Sequence, residues 1–98
     1  MTDRANLGRL LHLPMKADFY YQIANGTKKE EFRLRNSYWM KRIEGKEFDG
    51  IDLTLGYPPA DDNARRMWRP WRGYEIKRIQ HPLFGADPVE VYAIKVNT

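Results

Sequence analysis

Apolar and polar positions recur along this chain regularly enough to divide it into short elements. From Glu30 to Arg35 they alternate: Phe32 and Leu34 face one way, and Glu31, Arg33 and Arg35 the other. That pattern predicts a half-buried strand with a charged outer face. Ile51, Leu53 and Leu55 alternate with Asp52 and Thr54, and the run stops at Gly56 and Pro58-Pro59. Phe19 and Ile23, with Tyr20 and Ala24, fall at helical spacing behind a candidate cap, Asp18, and Asn25-Gly26 closes the helix. Ser37 is the candidate cap of a second helix, Tyr38 to Ile43, ending near Gly45. Leu10 to Leu13 reads as a first strand ended by Pro14, and Trp71 to Ile79 as a long strand. Val89 to Val96 is apolar on both faces, as in a central or covered strand. Pro59 to Arg66 and His81 to Pro88 read as loops.

About five strands and two short helices predict an α+β fold, a small curled sheet or open β-barrel with the helices at its rim. Phe32, Leu34, Leu53, Leu55, Ile76, Val91 and Ala93 are its expected core. The 98 residues suit a single domain spanning 1–98, without repeat or linker.

Composition narrows the chemistry. There is no cysteine, which excludes disulfides, thiolate catalysis and cysteine-ligated zinc, and two histidines make a metal site unexpected. No cofactor is expected. No run approaches the ~18 apolar residues of a transmembrane helix. Leu10 to Met15, interrupted by His12 and Pro14, is too short for a signal peptide, so a cytoplasmic protein without a membrane partner is expected. The net charge of +4 is concentrated: Thr27 to Lys46 holds seven Lys or Arg against three Glu, and Arg65 to Arg78 six against one. Basic clusters attract polyanions through counterion release, which makes nucleic acid the natural partner class. A merely solvated basic surface would give the same count.

Three segments are candidates for chemistry. In Gly26-Thr27-Lys28-Lys29-Glu30-Glu31-Phe32-Arg33 a glycine turn leads into the charged strand face, where paired ions would leave a cation for a phosphate or base edge. A solvated face with incidental ion pairs is the plain alternative. In Arg65 to Tyr74, arginines interleave with Trp68, Trp71 and Tyr74, a composition suited to single-stranded nucleic acid. Arg69, Trp71 and Arg72 are its candidate binding residues, although either tryptophan fits a core position as well. In Tyr38 to Arg42, Trp39 and Ile43 lie four apart and pack inward, and Arg42 is a candidate phosphate contact. His12 reads as a structural strand residue and His81 as a loop residue.

The pattern Gly26-x-Lys28-x-x-Glu31-x-Arg33, entered from a helix bearing Tyr20 and Ile23, resembles the ASCH domains of the PUA-like superfamily. The resemblance extends to Leu13-Pro14, Tyr38-Trp39, Leu55-Gly56-Tyr57 and Val91-Tyr92-Ala93-Ile94, nearly the whole chain. It is closest to the short stand-alone form of phages and bacteria. It implies a small PUA-like open β-barrel with two short flanking helices, and a cleft floored by Lys28, Glu31 and Arg33. RNA or a nucleotide is the implied ligand.

Some ASCH relatives are amidohydrolases that deacetylate an N4-acetylated cytidine with a lysine, a threonine three positions later and a distant glutamate. Here the threonine position holds Glu31, and a carboxylate does not replace a hydroxyl nucleophile. Thr27, one residue before the lysine, would face differently. Other relatives bind or cleave RNA, and a Lys28-Glu31 pair suits acid-base catalysis where burial brings a pKa toward neutrality. Three readings therefore stand: an RNA- or nucleotide-binding domain, a hydrolase (amidohydrolase or ribonuclease) using Lys28 and Glu31, and a protein-interaction module modulating a host enzyme. Tryptophan and arginine are also the residues of protein hot spots.

Overall fold

A computed structural model describes residues 8–98, in the order β1 (Leu10–Met15), α1 (Ala17–Ala24), β2 (Glu30–Leu34), α2 (Ser37–Ile43), β3 (Gly50–Leu55), β4 (Arg66–Pro70), β5 (Tyr74–Ile79) and β6 (Val89–Lys95). Residues 1–7 lie outside the description. The chain is an α+β protein with six strands in two three-stranded sheets, ordered β1-β3-β4 and β2-β6-β5. β1 and β3 are parallel, whereas every other pair is antiparallel. No ladder among the described residues closes the sheets into a barrel. No described helix is long and apolar enough to cross a membrane.

The core lies between the sheets. Leu11, Leu13 and Met15 of β1 and Ile51 and Leu53 of β3 meet Tyr92 and Ile94 of β6, with Val96 just beyond it. Tyr20 and Ile23 of α1 and Ile43 of α2 complete it. β3 is the central strand of its sheet and is buried on both faces, so its polar residues need partners. The Asp52 carboxylate accepts from Arg66 Nη1 at 2.9 Å and lies 3.0 Å from His12 Nδ1, and Thr54 Oγ1 donates to the Gly56 carbonyl at 2.8 Å.

Five expectations need correction. There are six strands, because Arg66–Pro70, where the pattern gave a loop through Arg66 and no strand before Trp71, pairs with β3. An edge strand tolerates both its charges and its proline. The long strand begins at Tyr74 rather than Trp71, since Gly73 turns the chain at φ 83°. β1 likewise runs through Pro14, as an edge strand can. The caps shift by one or two residues: Asn36, not Ser37, receives the Trp39 N–H at 3.0 Å, and α1 starts before Asp18, which sits in its first turn.

The fifth correction matters most. Glu31 pairs with Ile94 and Arg33 with Tyr92, so the charged face of β2 is the inner one. Phe32 and Leu34 stand opposite Ala93 and Val91 on the outer face. Of the expected core, Leu53, Val91 and Ala93 are buried, Phe32, Leu34 and Leu55 are half-buried, and Ile76 is 46% exposed on edge strand β5.

One polar link ties α2 to the middle of the second sheet. The buried Tyr92 hydroxyl donates to the Glu44 carboxylate, which also accepts from Arg35 Nε at 3.0 Å. The Tyr92 hydrogen bond, and then that of Arg35, hold the Glu44 carboxyl below its usual 4.5. Burial, and then the same hydrogen bond, push the Tyr92 hydroxyl upward.

Leu53→Ala should therefore cost ~2–5 kcal/mol in urea denaturation, whereas Ile76→Ala should stay within ~0.5 kcal/mol. The Glu44 link carries a pH signature. A carboxyl whose folded pKa is depressed contributes stability that is complete above its unfolded value, 4.5 here, and lost as pH falls through the folded value. Tyr92→Phe should thus lower the melting temperature most near neutrality, with the gap to wild type narrowing in acid below about pH 4.

Candidate functional site

The residues after α1 are held tightly enough to aim a side chain. Gly26, at φ 85°, reverses the chain, and the Lys28 N–H returns to the Gln22 carbonyl at 3.0 Å. Asn97 Nδ2 donates to both the Lys28 carbonyl (2.8 Å) and the Ile23 carbonyl (2.9 Å). Thr27 turns away, its hydroxyl donating to the Gln22 carbonyl at 3.2 Å and to Asn25 Oδ1 at 2.7 Å. With the turn fixed, the Lys28 ammonium lies 5.2 Å from the ring centroids of both Phe19 and Phe32, a cation between two aromatic faces.

Lys28 Nζ is also 3.5 Å from Glu31 Oε1, and the other Glu31 oxygen accepts from Arg33 Nη1. Arg33 donates further to its neighbour's carbonyl, Phe32 O, at 2.9 Å, and across the gap between sheets to Pro14 O at 2.8 Å. Its guanidinium lies 5.5 Å from the Trp39 ring. The side chains of Lys28, Glu31 and Arg33 are 17%, 7% and 14% exposed, so this is a largely desolvated cluster of two cations and one anion. It floors a cleft of about 260 Å³ walled by Phe19, Phe32, Trp39, His81, Leu83 and Phe84, with Asn36 and Pro14 at its edge. Charged donors and an acceptor at the bottom of an aromatic slot can take a flat, polar-edged ligand.

The three residues of the Gly-x-Lys-x-x-Glu-x-Arg pattern thus share one concave site. Arg42 does not line it. Arg42 stacks on Tyr38, 3.4 Å from the ring centroid, beside a second cleft of about 590 Å³ that shares Pro14, Arg33 and Trp39 with the first. Arg69, Trp71 and Arg72 line neither cleft. Arg69 fastens the fold, with Nε to Asn97 Oδ1 at 3.1 Å, Nη2 to Ile23 O at 3.3 Å and Nη1 to Trp68 O at 3.1 Å. Trp71 is half-buried against Phe48 and Tyr74, at ring separations of 4.9 and 6.2 Å, while Arg72 is exposed.

The residues that sequence reasoning missed are the walls. Trp39 faces the cleft while also packing against the core, and helical spacing to Ile43 does not distinguish these. His81 and Phe84 belong to a distant loop, where His81 Nδ1 accepts the Leu83 N–H at 3.1 Å. No family model, curated protein or solved structure matches the chain.

Removing the anion from this cluster would leave two poorly solvated cations. Glu31→Ala should cost ~3–5 kcal/mol in urea denaturation. The double variant Glu31→Met/Arg33→Met should be less destabilised than Glu31→Ala, because no unpaired charge replaces the pair.

Proposed function

We propose that this protein is an RNA- or nucleotide-binding domain of the ASCH type, and that the Lys28-Glu31-Arg33 cleft receives a single unstacked base. The observation that carries the reading is the Lys28 ammonium, held between two aromatic faces above a buried carboxylate. Aromatic walls supply stacking for any base, worth ~1–3 kcal/mol each. A cation beside a carboxylate offers donor and acceptor to a base edge, and a carboxylate has lone-pair sites beyond the two that Lys28 and Arg33 occupy. A volume of about 260 Å³ is at the small end for ligand pockets, which run ~300–1,000 Å³, and suits one heterocycle better than a stacked run.

A hydrolytic reading draws on the same contact, Lys28 Nζ at 3.5 Å from Glu31. The binding reading is preferred because both Glu31 oxygens already face cations and the nearby hydroxyl, Thr27, points elsewhere. Absence of turnover on N4-acetylcytidine and on short RNA would leave binding alone, while turnover abolished by Lys28→Met would establish the enzyme.

Binding is tested by titrating nucleosides, nucleotides and short single-stranded RNA while following tryptophan fluorescence, since Trp39 lines the cleft. Lys28→Met should weaken binding by ~1.5–3 kcal/mol, the worth of a charge-assisted hydrogen bond, with little change in melting temperature. A wild-type protein that binds none of these ligands at millimolar concentration overturns the reading.

A further inference from the structure

The cleft beside the base site differs from it in size and in charge. It is lined by Lys41, Arg42 and Lys46 as well as Arg33, and by no Asp or Glu among the described residues. Arg33 is already committed to Glu31 and to the Pro14 carbonyl. None of Lys41, Arg42 and Lys46 has a carboxylate partner among the described residues, in contrast to Arg35, Lys77 and Lys95, which pair with Glu44, Glu30 and Glu75. Lys41 and Arg42 occupy the last turn of α2, where its dipole favours cations, but that account leaves out Lys46, beyond the helix.

The arginine is also oriented in advance. Its guanidinium lies flat enough on Tyr38 to come within 3.4 Å of the ring centroid, and Nη1 donates to the Tyr38 carbonyl at 2.9 Å. A planar fork fixed in this way loses little entropy on meeting a phosphate. Tyr38 and Tyr57, which border the same cleft, are 53% and 90% exposed, so aromatic surface stands beside cations that have no carboxylate partner among the described residues. This is the combination that holds single strands: cations track the backbone while bases stack on rings. The two clefts are contiguous, since Pro14, Arg33 and Trp39 line both.

We propose that the larger cleft is the path of a phosphodiester chain whose base enters the smaller one, so that the ligand is a single-stranded oligonucleotide rather than a free nucleoside. The proposal rests on the base-site reading above and specifies its ligand class. Lys41, Arg42 and Lys46 meet successive phosphates, Tyr38 and Tyr57 stack on flanking bases, and Arg33 forms the wall between base and backbone. A duplex cannot use this site, because a paired base cannot enter the smaller cleft.

The test measures affinity for a nucleoside, its 5′-monophosphate, a single-stranded RNA pentamer and the corresponding duplex, at three salt concentrations. Wild type is compared with Lys41→Ala/Arg42→Ala/Lys46→Ala, whose exposed positions should leave the melting temperature intact. The expected order in wild type is pentamer, monophosphate, nucleoside, with the duplex weakest. In the triple variant the pentamer should lose its advantage, and its log-affinity against log-salt slope should flatten by ~0.7 per lost contact, roughly 2 in all. If the nucleoside binds but the triple variant keeps the wild-type affinity and slope for the pentamer, the backbone path is wrong and the base site stands. Equal affinity for duplex and single strand also overturns the path. If the nucleoside does not bind and Lys28→Met leaves pentamer affinity unchanged, it is the base-site reading that fails.

Discussion

One side chain links the two edge strands that border the cleft, with no ladder between them among the described residues. β1 and β2 are edge strands, and between them Arg33 donates to the Pro14 carbonyl at 2.8 Å. Had a backbone ladder formed there, the strands would lie ~4.8 Å apart and leave no space between them. A guanidinium holds the edges further apart, with hydrophobic and aromatic side chains lining the gap. The cleft is therefore the unpaired seam of the fold. Arg33 reaches the seam because β2 turns its charged face inward, and it is tolerated there because Glu31 neutralises it.

That arrangement is costly as a stabilising device. Replacing buried ion pairs by apolar residues of similar volume is often neutral or favourable, since desolvation offsets the attraction between the charges. Here the geometry of the charges is what counts. Glu31 orients Arg33 toward Pro14 and draws Lys28 toward the floor, and the rings of Phe19, Phe32 and Trp39 shield all three from water. The cluster keeps one positive charge in excess, in a place where screening by salt is weak. A ligand with an acceptor edge meets cations that are already oriented and largely dehydrated.

How far the sequence carried this picture depends on the residue. β2 was legible as a strand, and the spacing from Gly26 to Arg33 picked out three charged residues that line one cleft. The facing of β2 was not legible, because the rule that apolar residues point inward presumes water on the other side. At an edge strand bordering a cleft, the inner face is polar where it meets the cleft and Phe32 and Leu34 are only half-buried on the other. Arg66–Pro70 was missed as a strand because two arginines and a proline mask an alternation that an edge position permits. The cleft walls come from Phe19, Trp39 and Phe84, on three separate segments, and no local spacing joins them.

The two basic clusters also differ in how the fold uses their cations. By composition, Arg65 to Arg78 is the richer candidate, with its six cations against one acid. In the fold, Arg66 is spent on Asp52 and the carbonyls of Pro58 and Pro59, Arg69 on Asn97 and two carbonyls, and Lys77 on Glu30. Those cations serve the fold's own acceptors, and Trp71 beside them packs against Phe48 and Tyr74. Lys41, Arg42 and Lys46 are fewer, yet they border a concavity and have no carboxylate partner among the described residues. A count of charges shows only where a polyanion would be attracted, whereas the partners each cation has in the fold separate those that fasten the structure from those that do not.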